Sequence, residues 1–550
     1  MELVSPTAVA NLSLAEFPVL GPDGTLCVFR CLRFAPDVLR LRMVSKDFLA
    51  AADARQRELE TLELQHLQHE MTDDVLISML KLSPALRSLN VADCCELSEA
   101  AFAAIGVVYT LERLCLRETR VCADDLALLW CGLPSLTALD IEGCDQLISH
   151  ELDRFVAHTD RVAGCIRSLS LANCSHLTAV TASLLCRSCG VHLTDLDISG
   201  YDDMTGQIIS DIAGCCKSLR RLRIVEVERL DNAACVSLAA ECPGLTAIDF
   251  SWSGDEVTDG VRYICLSCPE IRELELRCCA GIIATDLIQA IGANCPALKV
   301  LNLNRCGSGE EGEGAPLLAA ANVEMGAPCP FFDLGFHSTT ACTLIAPLAL
   351  RTVLLEWLDV GWLAEIIDDD AVALLLTSLT RLRVLSLEGC KMLTDRALLP
   401  LTRLSCQDSA QSGKGAASAI TDGPGSQLQR LNCSWVDSIT NAALHAALKI
   451  AAERTRKELE ERVSIRLQRD LACGETHGCS WPQDISQLLP VYPLLVVDYY
   501  GEVWGLGADG NPTQTSLRSI SADAQLFSRP CTGTGTGGSA HLRGALPDLR

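Results

Sequence analysis

The chain of 550 residues contains 30 cysteines, and their thiols are the side chains with the widest choice of chemistry. Two Cys-x-x-Cys pairs, Cys186/Cys189 and Cys265/Cys268, together supply the four sulfurs that a structural zinc ion takes. A third group, Cys473, His477 and Cys479, offers three ligands and lacks an obvious fourth. Whether the two pairs could bind the same zinc ion depends on how far apart the helices or strands that contain them lie.

Other residue groups do not have the spacing that catalysis needs. His66, His69 and Glu70 are in the wrong order for a His-Glu-x-x-His zinc hydrolase, and the glycines around Lys414 lack the upstream glycine of a phosphate-binding loop. No paired carboxylates and no nucleophile with a base stand out. We therefore predict that the chain is not an enzyme and holds no cofactor and no metal.

A repeated pattern, Leu-x-x-Leu-x-Leu/Ile-x-x-Cys, determines the predicted fold. Its copies start at Leu59, Leu86, Leu111, Leu136, Ile166, Leu193, Leu219, Leu245, Ile271, Leu298, Leu382 and Leu428. A period of 20–29 residues with this consensus indicates a leucine-rich-repeat solenoid. The fold class is therefore α/β, with short parallel strands on the concave side of a curved horseshoe and helices on its convex side.

The repeat separates the two cysteine pairs. Residues 186 and 265 are about three repeats apart, so stacked strands at about 4.8 Å place them roughly 14 Å from each other. A shared zinc site is thus disfavoured. Most cysteines instead follow the repeat: Cys94, Cys144, Cys174, Cys279, Cys306 and Cys390 each lie three residues after the last strand aliphatic. We interpret them as reduced, buried thiols that face backbone carbonyls of the neighbouring coil.

Charge and hydropathy limit the classes of partner. The net charge of −25 argues against binding to a nucleic-acid backbone. No apolar run is long enough to span a membrane, and the N-terminus does not have the pattern of a secretory signal. With reduced thiols, these features predict a cytoplasmic or nuclear protein.

Composition divides the chain into five segments. We predict an N-terminal segment at 1–16, a helical module at 17–50, repeats at 51–445, a C-terminal helix and cap at 446–504, and a disordered tail at 505–550. Insertions interrupt the repeats at 307–350 and at 407–426. The stretch from Asn441 to about Ala472 is expected to form one long helix, because apolar residues recur at every fourth position.

The module at 17–50 differs from the repeats. Its second half runs Asp37-Val38-Leu39, then Val44-Ser45-Lys46, then Phe48. This pattern resembles an F-box, the helical module that docks on a Skp1-like adaptor. The first half fits less well, since neither Pro18 nor Pro22 has the usual distance from Phe29. The alternative is a simple helical cap over the first repeat. The resemblance implies that the adaptor is bound by Phe29, Leu32, Leu39, Leu41 and Val44.

The repeats resemble the cysteine-containing leucine-rich-repeat subtype, as at Cys295–Cys306, Cys242–Asp259 and Leu382–Asp395. Together the two segments are similar to the F-box and leucine-rich-repeat family. That resemblance implies a substrate-recognition subunit of a Skp1–cullin–F-box ubiquitin ligase, which binds a target protein for degradation. The alternative is a non-catalytic scaffold in a fixed assembly, such as an axonemal regulatory complex.

The target would be expected on the concave face, because residues between the strand aliphatics point away from the core. Acidic side chains there flank a basic spot. The residues that we predict to bind the partner are Asp140, Asp195, Asp197, Arg221, Arg223, Asp249 and Glu275. Repeat surfaces are generic, so the sequence does not identify the target protein.

Overall fold

The computed structural model describes residues 57–67, 71–158, 166–253, 257–279, 284–306, 340–363 and 366–402, parts of 428–439, and the strands named below. The predicted module at 17–50 lies outside the described residues, as do the segment 1–16 and the insertion 407–426. The chain forms two compact units, Met1–Ile282 (unit 1) and Ile283–Arg550 (unit 2).

Unit 1 is a stack of repeats, each made of one short strand and one helix. Its strands are β1 Thr61–Glu63, β2 Ser88–Asn90, β3 Arg113–Cys115, β4 Ala138–Asp140, β5 Ser168–Ser170, β6 Asp195–Asp197, β7 Arg221–Arg223, β8 Ala247–Asp249 and β9 Glu273–Glu275. Its helices are α1 Asp73–Leu82, α2 Glu99–Ile105, α3 Ala123–Gly132, α4 Ser149–His158, α5 Ala179–Cys189, α6 Gly206–Cys215, α7 Asn232–Glu241 and α8 Thr258–Ser267. Each strand pairs in parallel with the next, and their central aliphatic residues are in register.

Unit 2 continues the same plan with wider spacing. Its strands are β10 Val300–Asn302, β11 Trp357–Asp359, β12 Val384–Ser386, β13 Arg430–Asn432, β14 Ser464–Leu467, β15 Val496–Tyr499, β16 Glu502–Leu506 and β17 Pro512–Thr515. Strands β10 to β15 pair in parallel, whereas β15, β16 and β17 pair antiparallel. Its helices are α9 Ala284–Asn294, α10 Thr340–Arg351, α11 Asp369–Ser378 and the short α12 Leu399–Thr402.

The core lies between the strand layer and the helix layer of each unit. In unit 1, Leu139 and Ile141 of one repeat are buried, as are Leu126 and Leu129 on the helix before them. Burying one such side chain contributes about 1.5–3 kcal/mol. The predicted α/β leucine-rich-repeat solenoid is therefore confirmed. Among the described helices, none is both long enough and apolar enough to cross a membrane.

Three details of the prediction differ from the structure. A repeat at Leu355, whose strand is β11, was not recognised, because Leu363 takes the place of its cysteine. Residues Ser464–Leu467 form strand β14, so the prediction of one helix from Asn441 to Ala472 is wrong there. Residues Pro512–Thr515 form strand β17, within the tail that we predicted to be disordered.

Every described strand from β2 to β12 ends in a tight bend, which we call the elbow. The elbow residue is the second after the last buried strand aliphatic, and its φ angle is positive. Elbow residues are Asp93, Glu118, Gly143, Asn173, Gly200, Glu226, Trp252 and Cys278 in unit 1, and Arg305, Trp362 and Gly389 in unit 2. A left-handed backbone conformation is unfavourable by about 1–2 kcal/mol for a residue with a Cβ, yet most of these elbows carry a residue other than glycine.

Glycine occurs at three elbows for a steric reason. An added Cβ at Gly143 would lie 2.4 Å from Glu118 Oε1, and one at Gly200 would lie 2.1 Å from Asn173 Oδ1. At Gly389 the added Cβ would lie 2.5 Å from the ring of Trp362. In each case the obstacle is the elbow side chain of the preceding repeat. Elbow side chains at these sites therefore reach across onto the next repeat.

The cysteine that follows the elbow joins neighbouring repeats. Cys144 Sγ donates to Leu116 O at 3.1 Å, and Cys174 Sγ donates to Ile141 O at 3.2 Å. Cys279 Sγ donates to Phe250 O at 3.1 Å, and Cys390 Sγ to Val360 O at 3.4 Å. Ser253 and Tyr201 make the same contact with hydroxyls where the cysteine is replaced, donating to Ile224 O and Leu171 O. The predicted contact between these thiols and carbonyls of the adjacent coil is confirmed.

Candidate functional site

The predicted partner-binding residues all lie in unit 1, on the outer side of its strand layer. Asp140 is on β4, Asp195 and Asp197 are on β6, Arg221 and Arg223 are on β7, Asp249 is on β8, and Glu275 is on β9. Each is partly exposed and alternates with a buried aliphatic residue of the same strand. We call this surface the strand face. The structure thus places all seven residues on one side of one sheet.

The charges at the centre of the strand face are paired with each other. Arg223 bridges two neighbouring strands, with its Nη1 atom 2.9 Å from Asp197 Oδ2 and its Nε atom 3.4 Å from Asp249 Oδ2. Arg221 Nε lies 3.3 Å from Asp195 Oδ1. Much of the charge that the sequence suggested for a partner therefore serves to hold strands β6, β7 and β8 together.

Three of the predicted aspartates also stabilise their own backbone. Asp140 Oδ1 accepts from Glu142 N at 3.1 Å, and Asp249 Oδ1 accepts from Ser251 N at 3.0 Å. Asp197 Oδ1 accepts from both the amide and the hydroxyl of Ser199. Burial raises the pKa of Asp197, although the Arg223 guanidinium opposes that change. The carboxylate oxygens of Asp197 and Asp249 are thus already used in hydrogen bonds and ion pairs within the chain, which leaves them less able to bind a partner.

The more exposed charges lie at the margins of this network. The side chains of Asp195 and Arg221 are each 37% exposed, compared with 13% for Asp197. Glu275 lies directly opposite Asp249 in the sheet register, and Glu273 of the same strand lies opposite Ala247. Two carboxylates therefore face the same direction across β8 and β9. Like charges directly opposite each other on adjacent strands are unfavourable, and the Arg223 guanidinium offsets this on the Asp249 side.

Glu142 has an unusual titration on this face. Its Oε1 atom lies 3.1 Å from Arg117 Nη2, and its side chain is only 20% exposed. Burial raises the pKa of Glu142 to about 7. The Arg117 guanidinium opposes this rise in pKa, and the carboxylates of Asp140 and Asp197 add to it. The carboxyl group is therefore partly protonated near neutral pH.

Replacing Glu142 by Gln should change how stability depends on pH. The folded pKa lies above the unfolded value of about 4.3, so protonation favours the folded wild type as the pH falls through about 7. Relative to Glu142→Gln, the wild type should gain about 2 kcal/mol between pH 8 and pH 5. Urea unfolding of both proteins across this range measures the difference. A constant difference would show that Glu142 does not titrate there.

Sequence reasoning missed the aromatic residues at the elbows. Trp252 is 51% exposed at a φ angle of 59°. In unit 2, the Arg305 guanidinium carbon lies 4.9 Å from the centre of the Trp362 ring, and Trp362 Nε1 donates to Glu388 Oε1 at 3.3 Å. The signal that could have found them is their common place, two residues after the last strand aliphatic.

The two cysteine pairs stay apart in the structure. Cys186 and Cys189 are both buried in α5, and Cys265 and Cys268 are buried three repeats later. Burial raises the pKa of Cys189 to about 12 and that of Cys186 well above its ordinary value, so neither is a thiolate at neutral pH. Within the part of the chain that the structure describes, no three ligand side chains are grouped for a metal ion. The Cys473–Cys479 group lies outside that part.

Phe29, Leu32, Leu39, Leu41 and Val44 all lie outside the described residues, and their role stays a prediction.

Comparison with known proteins gives partial matches. No protein-family model matches the chain. It is 28% identical over 181 residues to a protein of Arabidopsis thaliana named as F-box/LRR-repeat protein 9, covering 32% of this chain and 70% of that protein. It is 23% identical over 297 residues to the DNA repair protein rhp7 of Schizosaccharomyces pombe, covering 53% of this chain and 47% of that protein. The chain thus spans only about half the length of rhp7.

Among solved structures, the crystal structure of the Rad7 and Elc1 complex from yeast matches with a TM-score of 0.42 and 18% identity. That match covers 68% of this chain and 90% of the other.

Proposed function

We propose that this chain is the substrate-recognition subunit of a Skp1–cullin–F-box type ubiquitin ligase. In this proposal, residues 17–50 bind a Skp1-like adaptor, and the strand face of unit 1 captures a target protein for ubiquitin-dependent degradation. The observation that carries the proposal is the combination, in one chain, of an F-box-like segment with a leucine-rich-repeat array. The partial similarity to a protein named for the same combination supports it.

The layout of the strand face supports a binding role for the repeats. The strand face presents charged side chains from successive strands at a spacing of about 4.8 Å, which suits an extended or folded protein surface. We propose that the chain itself is not an enzyme, that its repeats are of the cysteine-containing subtype, and that it acts in the cytoplasm or nucleus. A scaffold would use the same face, but it would need no adaptor.

Reversing partly exposed charges on the strand face should weaken target capture. The suitable positions are Asp195 and Glu273, since Asp197 is too buried for a lysine to test binding alone. Each exposed ion pair adds only about 0–1 kcal/mol, so Asp195→Lys with Glu273→Lys should reduce capture roughly tenfold, more at low salt than at high salt. Quantitative mass spectrometry of proteins retained by the full chain measures the loss.

The matched control is Asp124→Lys with Asp211→Lys. These two aspartates are exposed on helices α3 and α6, so the control has the same net charge change on the other layer. Equal capture by the wild type and the strand-face variant would place recognition elsewhere.

A further inference from the structure

One exposed aromatic side chain of unit 1, at an elbow, is held in a backbone conformation that such residues rarely adopt. Trp252 has a φ angle of 59°, and its amide donates to Arg277 O at 2.8 Å, which fixes the elbow against the next repeat. More than half of its surface is nevertheless exposed. Exposed tryptophans cluster at binding hot spots, because they supply a large, rigid contact area.

Unit 2 contains a filled version of the same arrangement. Its elbow tryptophan, Trp362, lies over Gly389 of the next repeat, and it carries on its ring the guanidinium of Arg305, the elbow residue of the preceding repeat. The distance of 4.9 Å from the guanidinium carbon to the ring centre is within the range of a cation–π contact. The tryptophan elbow is thus able to accept an arginine.

Unit 1 places a different residue before its tryptophan. The elbow that precedes Trp252 is Glu226, which is exposed and has no ion pair among the described residues. No described cation is stacked on the Trp252 ring either. A carboxylate therefore stands where unit 2 has its arginine. The indole face and this carboxylate together would complement one cation, which none of the described residues supplies.

We propose that Trp252 and Glu226 bind an arginine in a basic segment of the partner protein. The proposal rests on the proposed function only in taking a protein as the partner. Arginine is favoured over lysine, because its planar guanidinium stacks on an indole while still donating to a carboxylate. The exposed Arg229 and Arg277 lie on the repeats before and after that of Trp252, so the surface around the proposed site is not purely acidic.

The test uses the full chain and a labelled short peptide of repeated Gly-Ser-Arg, with matched peptides that carry Lys or Leu in place of Arg. Binding is followed by fluorescence anisotropy. The wild type should prefer the Arg peptide to the Lys peptide and the Leu peptide. Trp252→Ala should weaken binding of the Arg peptide about fivefold. This is the loss of about fivefold expected for a single cation–π contact that is partly exposed to solvent. Tyr109→Ala, which removes another exposed aromatic residue of unit 1, should leave it unchanged.

A second variant reproduces the internal arrangement of unit 2. Glu226→Arg would place an arginine on Trp252 as Arg305 lies on Trp362, so it should also weaken Arg-peptide binding while leaving the fold intact. Asp211→Arg has the same charge change on helix α6 and controls for non-specific repulsion. The proposal is overturned if the Leu peptide binds as well as the Arg peptide, if Trp252→Ala binds normally, or if Glu226→Arg and Asp211→Arg have equal effects.

Adaptor retention by each variant is measured separately. A chain that binds the Arg peptide through Trp252 but retains no adaptor would support this site and contradict the ligase proposal.

Discussion

The double variant Leu39→Asp with Val44→Asp is expected to lose its Skp1-like adaptor completely in co-purification. Both residues belong to the half of the 17–50 segment that matches the F-box pattern best. Burying an unpaired carboxylate in an apolar interface costs several kcal/mol, so two such changes should lower adaptor affinity by a factor of about 1,000 or more. The repeats should keep their melting temperature.

The control for this variant is Arg40→Asp with Arg42→Asp. It adds two aspartates to the same segment at positions that are polar in the sequence. Adaptor binding should persist in the control. If the wild-type segment itself retains no adaptor, the helical-cap interpretation of residues 17–50 replaces the F-box interpretation.

Replacing Gly389 by Ala should destabilise unit 2 by about 3 kcal/mol. The φ angle of +68° already costs a residue with a Cβ about 1–2 kcal/mol, and the new Cβ would meet the Trp362 ring at 2.5 Å. That ring cannot move freely, because the Arg305 guanidinium stacks on it and its Nε1 atom donates a hydrogen bond to Glu388. Urea unfolding measures the change.

Gly143 provides the matched control, since its φ angle is also +68°. Its obstacle is the carboxylate of Glu118, an exposed side chain that can swing away. Gly143→Ala should therefore cost only about 1–2 kcal/mol, the backbone part of the penalty. Adding Trp362→Ala to Gly389→Ala should remove the clash. Equal losses for the two glycine variants would show that the tryptophan ring does not restrict this elbow.

The repeat pattern was sufficient to predict the fold because it is determined by local spacing. Leucines such as Leu136 and Leu139 recur wherever a strand must bury one side, and Cys144 recurs wherever a small donor must reach the preceding repeat. The repeat at Leu355 escaped recognition because a long insertion precedes it and Leu363 replaces its cysteine. That segment is recognised as a repeat by the pairing of its strand β11 with β10 and β12, not by its match to the sequence consensus.

The charge pairing on the strand face was harder to predict, because it depends on pairs of residues from different repeats. Asp197, Arg223 and Asp249 look like separate surface charges in the sequence, but the sheet register places them side by side as one ion-pair network. The elbow was missed for a different reason: its place in the repeat is constant, but residues as different as Asp93, Glu226 and Trp252 occupy it. Nothing in the local sequence around Trp252 shows that its backbone is left-handed or that its ring stays exposed.

The turnover of a captured protein tests the central claim most directly. The first step identifies proteins that the wild type retains and that the Asp195→Lys/Glu273→Lys variant does not. The second step measures the half-lives of these proteins by pulse-chase, in cells that express either the wild type or the Leu39→Asp/Val44→Asp variant. A ligase receptor should shorten the half-life of its captured protein in a ubiquitin-dependent way, and the adaptor-binding variant should abolish that effect. A captured protein whose half-life is the same with both chains would contradict the receptor function and indicate a scaffold.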